Sequence, residues 1–147
     1  MKRSKGNKIS GQFVPLPHNL LDSAAFKGLD NTSKVSLIYF QKDKKSSHQT
    51  QLILTYPQAR HYGVCKSPAT FNKSKKELVE KGFLDPDQPG GLGKCSVFKE
   101  SMRWKNYGTK NFVQMEFKPG CGSKYFQVIW KNKKASQRLM DARHKKK

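Results

Sequence analysis

The sequence predicts an α+β fold, a three-helix core closed by a β-hairpin and followed by a basic C-terminal extension with a small hairpin of its own. Three observations predict it. Two helical stretches flank Gly63, and each is opened by a hydroxyl residue followed closely by proline, Thr55 with Pro57 and Ser67 with Pro68. A turn-rich stretch at 86–94, with three glycines and two prolines, separates two short runs of strand formers. The middle of the chain is also close to charge balance, whereas both ends are strongly basic.

The elements follow in order. Phe13-Val14-Pro15-Leu16-Pro17 is held extended by its prolines, and Pro17 opens a broken first helix over 17–28 that carries Leu20, Leu21, Ala24, Ala25 and Phe26. Asn31-Thr32-Ser33 offers caps for a second helix over 32–42, whose Val35, Leu37, Ile38, Tyr39 and Phe40 are apolar nearly all round and predict central burial. Lys44 to Gln49 reads as a loop, and Gln51-Leu52-Ile53-Leu54 as a strand. Thr55 then caps a two-turn helix that stops at Gly63, and Ser67 caps a longer one running through Lys81 to Gly82. On that helix Phe71, Leu78 and Val79 share one face, and on the shorter one Ala59 sits where the two must approach. Phe83-Leu84-Asp85, the loop 86–94 and Cys95-Ser96-Val97-Phe98-Lys99 form the hairpin. Beyond it, Lys124 to Trp130 reads as a strand facing Phe112 to Phe117, and Asn132 to His144 as a basic helix.

Length and charge set the organisation. The 147 residues carry 30 Lys plus Arg against 10 Asp plus Glu, a net charge of +20, with 35% hydrophobic residues, so one domain with basic ends is expected. Residues 1–12 hold four positive charges and no negative one; 13–101 hold thirteen and eight; 102–147 hold thirteen and two. This divides the chain into a basic disordered arm (1–12), a folded module (13–101) and a basic, aromatic-containing extension (102–147). Such an excess suits a polyanion, because each cation set against a phosphate releases condensed counterions. The longest apolar run, Val35 to Phe40, falls far short of the ~18 residues of a membrane span, and Met1-Lys2-Arg3-Ser4-Lys5 lacks an apolar secretory stretch. The expectation is a cytoplasmic, nucleoid-associated protein without a membrane partner. Cys65, Cys95 and Cys121 are odd in number and widely spaced, which predicts reduced thiols rather than a disulfide framework.

With this order of elements the sequence resembles the winged helix-turn-helix family. It looks in particular like a group of bacterial and phage proteins whose shared pattern stands here as Phe13-Val14-Pro15-Leu16-Pro17, Leu52-Ile53-Leu54-Thr55-Tyr56, Glu77-Leu78-Val79-Glu80-Lys81-Gly82-Phe83-Leu84 and Arg103-Trp104-Lys105-Asn106-Tyr107-Gly108-Thr109. The resemblance covers roughly 13–109 and implies duplex DNA binding, by a transcription regulator or a replication protein of a bacterium or mobile element. It also leaves a homodimer open. Lys66-Ser67-Pro68 makes the turn a little longer than the family's tightest form, so the start of the recognition helix is open by a residue or two.

By that resemblance the helix at 67–81 enters the major groove. With Phe71 as the core direction and ~100° per residue, Lys76 lies at about 140°, Lys73 at about 200° and Asn72 at about 100°. Lys73 and Lys76 suit guanine or phosphate, Asn72 suits adenine, and Lys66, Ser67 and Thr70 at the helix N-terminus suit a phosphate. The loop 86–94 either touches the DNA backbone through Lys94 and its amide groups or is only a hairpin turn. The same lysines also read as solvated members of the i, i+4 pairs Lys73/Glu77, Lys76/Glu80 and Glu77/Lys81.

No enzymatic motif is present: His18, His48, His61 and His144 are dispersed, and no HExxH, GxSxG, phosphate-binding GxxxxGK[ST] or paired CxxC occurs. His61 and Cys65 are separated by the helix break at Gly63, and no second pair completes a metal site. No catalysis, metal or cofactor is expected. Two alternatives stay open, an RNA-binding protein stacking bases on the aromatics of 102–147, and a noncatalytic module that docks another protein.

Overall fold

The computed structural model describes residues 11–44, 50–88, 90 and 94–117. Residues 1–10 of the basic arm, the centre of the 44–49 loop, most of the wing tip, the strand expected at 124–130 and the basic helix expected at 132–144 lie outside the described residues. The architecture is α+β. Among the described residues five helices, α1 (His18–Leu21), α2 (Ala24–Lys27), α3 (Asn31–Lys42), α4 (Tyr56–His61) and α5 (Pro68–Glu80), accompany strands β1 (Gln51–Leu52), β2 (Leu84–Gln88) and β3 (Val97–Glu100). A 3₁₀ turn, Arg103–Asn106, follows. The sheet is antiparallel in the order β1-β3-β2.

Local chemistry explains most boundaries. Ser23 breaks the first helical stretch in two, because its Oγ accepts from Phe26 N at 3.1 Å and so caps α2. Thr55 caps α4 in a reciprocal box with Gln58, whose side chain takes the Thr55 N–H at 2.9 Å. Ser67 caps α5 by accepting from Thr70 N at 3.1 Å, with Pro68 in the first turn, where no N–H is needed. Both helices end at glycines in the left-handed region, Gly63 at φ +73° and Gly82 at φ +86°. There the chain turns back, with Val64 N on Ala59 O and Phe83 N on Leu78 O, each at 2.9 Å.

The start of α3 is closed from a distance instead. None of Asn31, Thr32 and Ser33 caps it; the N-cap is Asp30, and Glu77 of α5 takes both the Asp30 N–H and the Ser33 hydroxyl. Nor is α3 buried all round. Ser33, Ser36, Leu37 and Phe40 face inward, while Val35 is 37% exposed. Ser36 and Ser74 meet Oγ to Oγ at 3.1 Å, two small residues that let α3 and α5 approach closely.

The core lies between α3, α5 and the sheet, around Phe40, Phe71, Phe98, Leu37, Leu52, Leu78, Leu84 and Val79. Phe40 meets Phe98 edge to face at 5.6 Å. The strand expected at 51–54 pairs only through Gln51 and Leu52, although the in-and-out alternation continues to Leu54. β2 runs through Pro86 to Gln88, residues read above as loop; it is an outer strand, and the register shifts between Pro86 and Gln88.

Packing also continues past residue 101. Trp104 is buried and stacks on Phe83 with ring centres 6.1 Å apart, and Phe117 meets Phe98 at 5.0 Å. Arg103 joins Asp85 at 2.6 Å and donates to the carbonyls of Val79, Leu84 and Val113. The described part of the extension therefore belongs to the same core as the module. Residues 112–117 form no strand.

Candidate nucleic-acid interface

Three elements position α5. Ser74 and Phe71 seat it on α3 and the core, Leu78 and Val79 anchor its second half, and α4 braces its start through the fully buried Ala59. Tyr56 of α4 donates to the Lys66 carbonyl at 3.0 Å and so fixes the turn that leads into α5. Outward from this seat stand Ala69, Thr70, Lys73 and Lys76, all exposed, with Asn72 half-buried on the flank. The helical wheel thus gave the outward direction of both lysines.

It did not give their partners. Lys73 Nζ lies 2.9 Å from Asp30 Oδ2, at the start of α3, not on Glu77. The hydrogen bond and the charge of Asp30 hold the Lys73 ammonium above its ordinary pKa, so it remains a cation throughout the neutral range. Lys76 stands 3.6 Å from Glu80, the one pair of the three that forms as the i, i+4 spacing suggests. Glu77 is taken up by α3, and Lys81 donates to Gly28 O at 2.8 Å. Both outward lysines thus carry a carboxylate that any other anion would have to displace, and both pairs are exposed enough to exchange at small cost.

At the N-terminus of α5 the donors are largely committed. Ser67 and Thr70 hydroxyls bond each other at 2.8 Å, Ser67 Oγ holds the Thr70 N–H, and Pro68 has no N–H to offer. Only one of the two hydroxyl hydrogens is used in that bond, so the other can donate to a phosphate while the cap stays closed. Lys66 is exposed beside this turn, and Lys94 is exposed at the base of the wing. The structure therefore brings Lys66, Ser67, Thr70, Asn72, Lys73 and Lys76 onto one helix and its entry turn, and places Lys94 on the neighbouring hairpin.

Two residues passed over by the sequence reading change the electrostatics. Arg60 is exposed on α4, the helix that precedes the turn into α5. Lys75 is buried at 9% exposure, its Nζ lying 4.7 Å from the Phe71 ring centre and 5.7 Å from that of Phe117. The signal was present, since Lys75 follows the core residue Phe71 by four and shares its face. Burial pushes its pKa down from 10.5, so the folded state binds the proton less readily than the unfolded chain does. This penalty is complete while both states are protonated, and it disappears as pH rises from the lowered folded value to 10.5. Lys75→Met, which keeps the length of the side chain, is expected to raise the thermal midpoint at pH 7, with a gain that shrinks in melts run at increasingly alkaline pH. A midpoint lowered at pH 7 would mean that the two aromatic rings outweigh desolvation.

Among the described residues no three His, Cys, Asp or Glu side chains converge on a metal-sized site, and no helix is long and apolar enough to cross a membrane. Comparison of the chain with family models, curated proteins and solved structures finds no significant match.

Proposed function

We propose that this chain is a winged helix-turn-helix protein that binds duplex DNA, a transcription regulator or replication protein of a bacterium or mobile element. In this reading α5 lies in the major groove, the hairpin β2–β3 is the wing, and the basic ends hold phosphate. The observation that carries it is the exposed row Thr70, Lys73 and Lys76 on a helix whose opposite face is buried, with a braced helix before it and a hairpin after it. The excess of cations in 1–12 and 102–147 supports the same reading, since arms of this kind supply affinity without sequence preference.

The test is fluorescence anisotropy of labelled duplex DNA across a salt series, with the whole chain and with the Lys73→Ala, Lys76→Ala double variant. If both lysines replace their carboxylates with phosphates, the variant's log–log salt slope is shallower by about 1.8. Its thermal midpoint should stay nearly constant, because both side chains are more than half exposed. An unchanged slope and affinity would remove α5 from the DNA contact. Tighter binding of single-stranded RNA than of duplex would transfer the function to the basic aromatic extension.

A further inference from the structure

The outer face of α3 takes no part in the reading above. Its inward residues are used by α5 and the sheet, yet Val35 is 37% exposed, and Ile38 and Tyr39 beside it are half-buried. Their spacing, i, i+3 and i+4, makes one stripe along the helix. Tyr62, at the end of α4, widens it by stacking on Tyr39 with ring centres 4.5 Å apart and planes 7° from parallel. The Tyr62 hydroxyl donates to Asp43 at 3.1 Å, so the ring is fixed before any partner arrives. Asp43 keeps its charge, so an acidic partner must set its carboxylates on Lys34 and on the side of Lys42 away from Asp43.

Two lysines border the stripe. Lys34 Nζ lies 5.6 Å from the Phe26 ring centre, and Lys42 Nζ lies 4.3 Å from that of Tyr62. Among the described residues neither makes an ion pair, so both ammonium groups can take a carboxylate without displacing one. We propose that this face docks an acidic amphipathic helix of another protein, its apolar residues on Val35, Ile38, Tyr39 and Tyr62 and its carboxylates on Lys34 and Lys42.

Charge selects that occupant over the others. A second copy of the chain carries +20 and sets lysine against lysine across the stripe. The basic arms of the same chain meet the same repulsion. A nucleic-acid backbone matches the lysines but leaves the apolar centre unpaired. An amphipathic helix with acidic flanks satisfies both, by the groove-and-anchor geometry of helix recognition.

A highly basic protein attracts any acidic peptide, so the test must separate pattern from charge. Two labelled peptides of identical composition serve as probes: one places Leu at helical i, i+3, i+4, i+7 spacing with Glu on the flanks, and the other is its scramble. Both are titrated by anisotropy into the full chain at about 150 mM salt, where surface charge is screened beyond ~8 Å. The patterned peptide is expected to bind at least tenfold more tightly, and Val35→Ser, whose melt is compared with that of the parent to confirm that it is still folded at the titration temperature, is expected to erase most of that preference. Lys34→Ala with Lys42→Ala should weaken the patterned peptide several-fold while leaving Val35 available. Equal affinity for both peptides, or a preference that survives Val35→Ser, overturns the proposal. So does a dimer in sedimentation that Val35→Ser dissociates, which would give the face to a second copy.

Discussion

Arg103→Ala is expected to destabilise the protein by about 3 kcal/mol, from the loss of a half-buried ion pair together with three hydrogen bonds from a charged donor. The guanidinium is only 13% exposed, and its Nε meets Asp85 Oδ1 at 2.6 Å, while Asp85 itself keeps 31% exposure. The other donors hold the C-terminal end of α5 through Val79 O, the start of β2 through Leu84 O, and the following segment through Val113 O. One side chain therefore ties three stretches of chain to its own turn, and its loss leaves carbonyls and a carboxylate half-buried without this donor. Urea unfolding followed by circular dichroism measures the effect. Arg103→Lys should recover little, because one ammonium reproduces neither the planar fork nor its spread of donors. A loss below about 1 kcal/mol would show that water replaces these bonds.

Gly82→Ala is the second large effect expected, about 2–5 kcal/mol from the left-handed backbone and the forced displacement together. Gly82 has φ +86°, and a Cβ there would stand 2.7 Å from Trp104 N and 2.8 Å from the Arg103 carbonyl carbon. Both are backbone atoms of the 3₁₀ turn, so no side-chain rotation relieves the contact. The turn must lift, carrying Trp104 away from Phe83. Quenching of tryptophan fluorescence by acrylamide should rise in the variant, and an unchanged quenching constant would mean that the helix end yields instead. At Gly63, where an added Cβ meets nothing within 4 Å, alanine should cost only the backbone part, about 1–2 kcal/mol.

The contrast between these two glycines shows what the sequence made legible. Caps, prolines and helix-ending glycines act within a few residues, so Thr55, Ser67, Gly63 and Gly82 announced α4 and α5 nearly to the residue. Gly82 was legible as a stop but not as the floor on which residue 104 rests. Arg103 belonged to a quoted motif, yet its acceptors are backbone carbonyls and one aspartate far along the chain, which no local pattern encodes. The same limit applied at the start of α3, where the closing group is Glu77, 44 positions beyond Ser33. For the candidate interface, rotation about the helix axis placed Lys73 and Lys76 outward correctly. Their neutralisation by Asp30 and Glu80 divides along the same line: the pair four residues apart was readable, and the pair 43 apart was not.

The sheet has a consequence for behaviour at high concentration. Among the described residues β2 is an outer strand of the sheet, a position where a strand from another molecule could add. On β2, Pro86 lacks an N–H, the register slips between Pro86 and Gln88, and Asp85 and Asp87 alternate along the strand. β2 therefore lacks the regular run of donors and acceptors that templates edge-to-edge aggregation, which disfavours fusion of its sheet with that of another molecule into fibres at high concentration.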